Sequence, residues 1–187
     1  MKKLENRRGR RYGLSPLSGI ANAEVGYAAA IIDEARERCI DLIADMSEEA
    51  IWKRPGGSPF SAGDLVVHMN WAEYLWLPKI GKHRLPEETV ELLSRGALGK
   101  LYDTPPWSVP VSRLVSLCRE TRGLLLIPCL ADADSLDTPI ASTLPGGKGP
   151  NTVGQIIMHI TTSWIYHSGQ VGLMTMQNGL DYTWAFE

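Results

Sequence analysis

The chain has 187 residues, of which 44% are hydrophobic and 21% charged, and this ordinary composition excludes a disordered protein. The length predicts one domain with a sizeable core, spanning residues 1–187. The formal net charge is −2, but six of the 19 basic residues lie in the first eleven positions, so the remainder of the chain is acidic. An acidic body argues against a nucleic-acid-binding function.

The start of the chain and the cysteines indicate the compartment. Residues 1–18 are predicted to form an irregular, basic N-terminal arm, which no apolar stretch follows, so it is not a secretory signal. No apolar run approaches the ~20 residues that a membrane span needs. The three cysteines are far apart and form no Cys-x-x-Cys motif, which predicts buried free thiols in a reducing compartment. We therefore expect a cytoplasmic protein without a membrane or nucleic-acid partner.

Four long helices are predicted from apolar residues that recur every three or four positions. They span about residues 20–46, 61–78, 110–130 and 151–178. Ser61 is a suitable N-cap for the second helix, and Asp64 can complete a capping box. Gly179 is a suitable end for the fourth helix. The sequence therefore predicts an all-α fold, a four-helix bundle.

Two long connections separate these helices. Residues 78–108 are polar and rich in proline, with a short helix expected near Glu87–Ser94. A connection of this length predicts a crossover between the second and third helices, not a tight hairpin. Residues 132–150 are rich in Asp, Pro and Gly, and the Gly146-Gly147-Lys148 segment lacks the spacing of a phosphate-binding loop, so a hairpin or flexible loop is expected. No convincing strand is evident.

Three of the four histidines lie on predicted helices, and they are the candidates for chemistry. His68 and His167 lie on the apolar stripes of the second and fourth helices, where an imidazole needs partners for both nitrogens or a metal ion. We therefore expect both in one shared pocket. Each could instead be a core histidine that a backbone carbonyl or a hydroxyl satisfies. His83 lies in a basic loop and is expected at the surface.

His159, Ser163 and His167 follow one another at four-residue steps, so either histidine could reach Ser163. The two histidines are ~12 Å apart along the helix axis, at a rise of ~1.5 Å per residue, and cannot share one metal ion. Any metal site therefore needs His167 together with His68. A nucleophilic pair of Ser163 with a histidine is geometrically permitted, but no oxyanion hole or acid is evident in the sequence.

Two segments carry a resemblance to a known family. Residues 61–68 (Ser-Ala-Gly-Asp-Leu-Val-Val-His) begin the second helix, and residues 152–159 and 167–171 (His-Ser-Gly-Gln-Val) lie on the fourth. These segments resemble the second- and fourth-helix motifs of the DinB/YfiT-like superfamily, the latter ending in His-x-Gly-Gln-Ile/Val. The helix order, the long connection and the length also match, over about residues 20–180. The resemblance implies an up-down-down-up four-helix bundle that is often dimeric.

The resemblance also implies a metal site. Many members bind nickel, zinc or iron through three histidines, one from the second helix and two, spaced His-x-x-x-His, from the fourth. Carried over by position, the first and third ligands are His68 and His167, and Ser163 occupies the place of the second. A neutral hydroxyl is a poorer ligand than imidazole, so a divalent metal is expected to be weakly bound or absent. Glu73 points about 140° away from His68 and is no easy substitute, whereas a ligand from the first or third helix, such as Glu24 or Asp33, is possible.

Further residues are expected around this pocket. Four aromatic residues flank the histidines at helical spacings: Trp71, Trp76, Trp164 and Tyr166. They form either an apolar wall for a ligand or part of the ordinary core. Gln170 could orient His167 or make an interhelical hydrogen bond.

Two functions follow. Some relatives are thiol S-transferases that use low-molecular-weight thiols such as bacillithiol or mycothiol; others are isomerases or DNA-damage-induced proteins. The chain is therefore expected to be a metal-dependent enzyme resembling thiol S-transferases or hydrolases. The alternative is a non-catalytic, stress-associated bundle that binds a small apolar ligand without metal.

Overall fold

The computed structural model of the chain describes residues 2–4, 14–97, 100, 108–142 and 151–182. Helices dominate these residues, which confirms the predicted all-α class. The helices are α1 (Ala23–Ile43), α2 (Glu48–Trp52), α3 (Ala62–Trp76), α4 (Glu87–Ser94), α5 (Val111–Thr121), α6 (Ile127–Ala131) and α7 (Val153–Gln177). A π-helical segment (Arg122–Leu126) joins α5 to α6, and a 3-10 turn (Leu77–Lys79) follows α3. The four long helices predicted from the sequence are thus confirmed, with ends that differ by about three residues or fewer.

The helix ends form where the local sequence predicts them. The Ser61 side chain accepts a hydrogen bond from the Asp64 amide, and the Asp64 carboxylate accepts one from the Ser61 amide, so the predicted capping box is present. Thr152 and Gln155 form the same arrangement at the start of α7. Gly179 follows α7 with a φ of 81°, a left-handed conformation that glycine adopts without steric cost.

Two short strand pairs accompany the helices, and one of them agrees with the hairpin expected over residues 132–150. β1 (Lys2–Leu4) pairs in parallel with β4 (Leu180–Tyr182), and β2 (Pro139–Ile140) pairs antiparallel with β3 (Asn151–Thr152). Strands of two or three residues are too short to produce a recognisable alternation of polar and apolar residues. β1 lies within the arm that was predicted to be irregular throughout. The remainder of residues 1–13 and the Gly146-Gly147-Lys148 segment lie outside the described residues.

The core is a continuous apolar cluster between the long helices. α7 packs against both α1 and α3, and α3 also packs against α5. The three cysteines, Cys39, Cys118 and Cys129, are free thiols buried in this core, as predicted. Burial raises the pKa of the Cys118 thiol to about 11, so it is protonated at neutral pH. None of the described helices combines the length and the apolar character that crossing a membrane requires.

A buried ion pair connects three of the long helices. Arg36 of α1 pairs with Glu73 of α3, and neither side chain is exposed to solvent. Trp164 of α7 donates its indole N–H to Glu73 Oε1 at 2.5 Å, and the Arg36 guanidinium lies 5.2 Å from the centre of its ring. Asp33 pairs with Arg36 at 3.2 Å and with Arg122 at 2.7 Å. Burial raises the pKa of Glu73, and the charge of Arg36 opposes this rise.

We expect Glu73→Ala to lower the free energy of unfolding by about 3–5 kcal/mol, because it leaves Arg36 buried without its main partner. The double variant Arg36→Met with Glu73→Leu should recover most of the loss, since both charges are then replaced by apolar groups. Urea unfolding followed by circular dichroism measures both. As a control, Arg38→Ala removes an exposed pair and should change the free energy by about 0.5 kcal/mol or less. Equal losses in the single and double variants would contradict the assigned role.

Candidate functional site

His68 of α3 and His167 of α7 lie side by side where the two helices cross. Their ring centres are 5.1 Å apart and the ring planes are nearly perpendicular, at 88°. A second contact joins the same helices: Trp76 lies edge-on to His159, with ring centres 5.6 Å apart. Trp76 is eight residues after His68, whereas His159 is eight residues before His167, so the helices run antiparallel. The two contacts therefore lie at two levels, ~12 Å apart along the helices.

His68 is almost fully buried, with 7% of its surface exposed, and its orientation is fixed by a backbone group. Its Nδ1 lies 2.7 Å from the carbonyl oxygen of Gly96, just after α4. A carbonyl can only accept, so Nδ1 carries the proton and Nε2 keeps its lone pair. Gly96 reaches this position because it has no side chain: a Cβ atom there would lie 2.7 Å from the carbonyl oxygen of Val67.

His167 adopts the same tautomer with a different partner. Its Nδ1 lies 2.6 Å from the side-chain oxygen of Gln170, one turn later on α7. The amide oxygen accepts the Nδ1 proton, and the lone pair again remains on Nε2. Tyr166 lies edge-on to the ring, with centres 5.0 Å apart. Gln170 therefore occupies the orienting position that the sequence suggested for it.

Both Nε2 atoms are available for chemistry. No described residue donates or accepts a hydrogen bond at either of them. Burial lowers the pKa of His68, and the neighbouring His167 lowers it further against the effect of the Gly96 carbonyl. Burial also lowers the pKa of His167. Both rings are therefore neutral at pH 7, and each offers a lone pair to a proton, a metal ion or a ligand.

The two histidines open onto a pocket of about 360 Å³ between α3 and α7. Its lining residues are His68, Trp71, Ala72, Leu75, Trp76, His159, Thr162, Ser163, Tyr166 and His167. Trp71 stacks on His68, with ring centres 5.8 Å apart at 22°. Each of these side chains is aromatic, aliphatic, hydroxyl-bearing or imidazole, so the part of the wall formed by described residues carries no Asp, Glu, Lys or Arg.

The structure separates the expected pocket residues into two groups. Trp71, His159 and Ser163 line the pocket with the two central histidines. Trp164 does not line it: it is fully buried and bonded to Glu73, because it points about 100° away from Ser163 around α7. Gln170 does not line the pocket either, but its side-chain oxygen accepts the hydrogen bond from Nδ1–H of His167. Gly96 was missed by the sequence reasoning, and no local signal distinguishes it from other loop glycines.

The acidic residues considered as further ligands are occupied elsewhere. Glu73 pairs with Arg36 in the core, and Asp33 pairs with Arg36 and with the partly exposed Arg122. Within the described residues, no three His, Cys, Asp or Glu side chains come close enough together to hold a metal ion. The donor set at the pocket is thus two imidazoles with the Ser163 hydroxyl nearby. Among the described residues, Ser163 makes no hydrogen bond to His159 or His167. The structure therefore gives no support to a catalytic pair in which a histidine activates the Ser163 hydroxyl.

Comparison with models of known protein families found no match, and comparison with curated proteins found no significantly similar sequence. The likeness to the DinB/YfiT-like superfamily therefore depends on the sequence motifs alone.

We expect the imidazole of His159 to titrate below pH 6.5, because burial lowers its pKa. The pKa of His159 is then lower in the folded state than in the unfolded state. Its contribution to the free energy of unfolding is therefore fully present above pH 6.5 and is lost as the pH falls through the folded-state pKa. The measurement is proton NMR of the imidazole C–H resonances against pH, with His159→Gln to assign the signal that disappears. A midpoint at or above 6.5 would contradict the burial of this ring.

Proposed function

We propose that this chain is a DinB-like cytoplasmic protein, an up-down-down-up four-helix bundle with its functional pocket between α3 and α7. The directions of the helices support this topology. Hydrogen bonds join Asn70 to Thr121 and Gly81 to Cys129, which makes α3 parallel to α5–α6. The carbonyl oxygen of Ala50, which follows α1, accepts a hydrogen bond from the side chain of Asn178 at the end of α7. The carboxyl ends of α1 and α7 therefore lie at the same end of the bundle, so the two helices are parallel.

We propose further that His68 and His167 hold a divalent metal ion, nickel, zinc or iron, through their Nε2 atoms. The observation that carries this proposal is the shared tautomer. Histidines that bind metal almost always donate their other ring N–H to a carbonyl or carboxylate, which fixes the ring and aims the lone pair. Gly96 and Gln170 do this here from two different elements. Two imidazoles are fewer than the usual three protein ligands of a catalytic zinc ion, so the affinity is modest.

The class of reaction follows from the pocket. A bound metal would lower the pKa of a thiol and so supply a thiolate nucleophile, as a thiol S-transferase requires. The residues of this chain contribute the surroundings: Trp71 and Leu75 exclude water, and the Ser163 hydroxyl offers a hydrogen bond beside the histidines. A low-molecular-weight thiol and an electrophilic substrate are the proposed reactants, and hydrolysis is the related reaction in which water replaces the thiol.

A second candidate function is the binding of a small apolar molecule without metal, in a stress-associated protein. It is favoured by Ser163, which stands where the family has its third imidazole, and by the largely apolar wall of the pocket. In this case His68 and His167 would act as hydrogen-bond acceptors for the ligand.

Titration with Co²⁺, followed by visible absorption, tests the metal site. We expect about one equivalent to bind to the wild type, and His68→Ala or His167→Ala to abolish binding. Gln170→Leu should weaken binding by about tenfold, because it frees the ring of His167. The exposed His83 provides the matched control, and His83→Ala should bind as the wild type does.

Ser163→His separates the two candidate functions. A third imidazole should raise the Co²⁺ affinity at least about tenfold if Ser163 lies at the ligand position. A wild type that binds no Co²⁺, together with a variant that binds it tightly, favours the metal-free ligand-binding function. No binding by either protein would overturn the metal site altogether.

The exposed face of α7 supports a homodimer. Met158, Ile165, Leu173 and Met176 are exposed on it, and the helix contains no Asp, Glu, Lys or Arg. Exposed apolar patches on soluble domains mark interaction surfaces. A face without charges can meet a second copy of itself across a two-fold axis without like-charge repulsion.

Ile165→Glu should convert the dimer into a monomer, because it places two carboxylates in a desolvated, self-complementary interface. Size-exclusion chromatography with light scattering measures the mass. Leu124→Glu changes another exposed apolar residue outside α7 and should leave the dimer intact. A wild type that is monomeric at about 100 μM would exclude the homodimer.

A further inference from the structure

His159 is a pocket histidine that neither the proposed metal site nor the core uses. It lies ~12 Å along α7 from His167, too far to share a ligand position with it. Its only described ring contact is the edge-on one with Trp76, and no described residue hydrogen-bonds to either of its nitrogens. The other two histidines of the pocket, in contrast, each have Nδ1 occupied. A neutral His159 thus offers both a donor and an acceptor to whatever occupies the pocket.

The pocket therefore has two polar ends and an apolar middle. One end holds the open Nε2 atoms of His68 and His167, and the other holds His159. Between them the wall is mainly aromatic and aliphatic, chiefly Trp71 and Leu75, and the hydroxyls of Thr162 and Ser163 lie on its α7 side. Flat aromatic ligands gain from such walls through stacked and edge-on contacts. The volume of about 360 Å³ falls within the ~300–1,000 Å³ of small-molecule sites, near its lower limit.

The wall also determines the charge of the ligand. Among the described residues that line the pocket, none is Asp, Glu, Lys or Arg, so the lining supplies no formal charge. A formal charge along the middle of the pocket would have no partner among these lining residues, and burying an unpaired charge is costly. Near the His159 end, Lys79 Nζ lies 5.5 Å from the centre of the Trp76 ring but does not line the pocket. A molecule that carries several phosphate or carboxylate groups is therefore a poor fit.

We propose that the pocket binds an elongated, uncharged aromatic molecule, with one functional group at His68 and His167 and a hydroxyl, carbonyl or amide at the other end that hydrogen-bonds to His159. His159 is a positioning residue that selects the length of the substrate. This inference deepens the proposed function by naming a substrate class, and it holds for the same pocket with or without metal.

Two probes test the far end of the pocket, 4,4′-dihydroxybiphenyl and 4-hydroxybiphenyl, which differ by one hydroxyl. Isothermal titration calorimetry should show that the wild type binds the diol about fivefold more tightly, the effect of one additional hydrogen bond. His159→Leu should abolish this preference and leave the affinity for 4-hydroxybiphenyl within about twofold. His159→Gln keeps a donor and an acceptor and should retain part of the preference. The control His83→Leu, outside the pocket, should retain all of it.

A third probe tests the charge. 4′-Hydroxybiphenyl-4-carboxylate should bind at least about tenfold more weakly than the diol, since no cationic side chain among the described lining residues can pair with its carboxylate. Equal affinity of the wild type for the diol and 4-hydroxybiphenyl, an unchanged preference in His159→Leu, tighter binding of the carboxylate, or no binding of any probe would each overturn the inference. The wild-type affinities for the probes test the inference by themselves, so the test remains valid even if a variant misfolds.

Co²⁺ titration keeps this test separate from that of the metal site. His159→Leu should bind Co²⁺ as the wild type does, because His159 lies outside the proposed donor set. Discrimination between the probes without Co²⁺ binding would support the inference together with the metal-free candidate. Co²⁺ binding without discrimination would overturn the inference and leave the metal site standing.

Discussion

The buried carboxylate of Glu73 determines how the helices that carry the site are aligned. One oxygen of this side chain receives both the Arg36 guanidinium from α1 and the indole N–H of Trp164 from α7. A buried charge tolerates no slippage, because a shift of one turn would leave it unpaired. Trp164 directly follows Ser163 and precedes His167 by three residues. Fixing its indole against α3 therefore brings His167 level with His68, although Glu73 itself faces away from the pocket.

The same alignment makes the long connection between α3 and α5 part of the site. Gly96 follows α4 in this connection and lies against the backbone of α3, close to the carbonyl oxygen of Val67. The carbonyl oxygen of Gly96 then accepts a hydrogen bond from Nδ1–H of His68. His167 obtains the equivalent partner, Gln170, from its own helix. Two unrelated elements thus impose one tautomer on both neutral rings, so the fold determines that the open lone pair lies on Nε2 in each.

The sequence predicted what local interactions determine, and it missed two of the contacts between distant residues that complete the site. The helices follow from apolar periodicity, and the capping box of Ser61 and Asp64 lies within four residues, so both were predictable. The partner of His68 is 28 residues away, and nothing near Gly96 indicates that contact. Trp164 was expected in the pocket because an aromatic residue at a helical spacing fits a core and a ligand wall equally well. Only its partner, Glu73, 91 residues away, decides between them.

The lack of carboxylates among the described residues of the pocket wall connects the two candidate functions. Two neutral imidazoles compensate none of the charge of a divalent cation, so such an ion would remain doubly charged in apolar surroundings, which is unfavourable. An anionic sulfur from a thiol substrate would supply part of the missing charge. Metal and thiol should therefore stabilise each other's binding, and each would bind poorly alone.

A pocket of this kind retains an apolar ligand when no metal is present, because the same neutral wall that weakens the binding of the ion favours an uncharged molecule. Under the proposed function, Ser163, which stands where the resemblance assigns a third imidazole, would shift the balance from permanent metal binding toward binding that depends on the substrate.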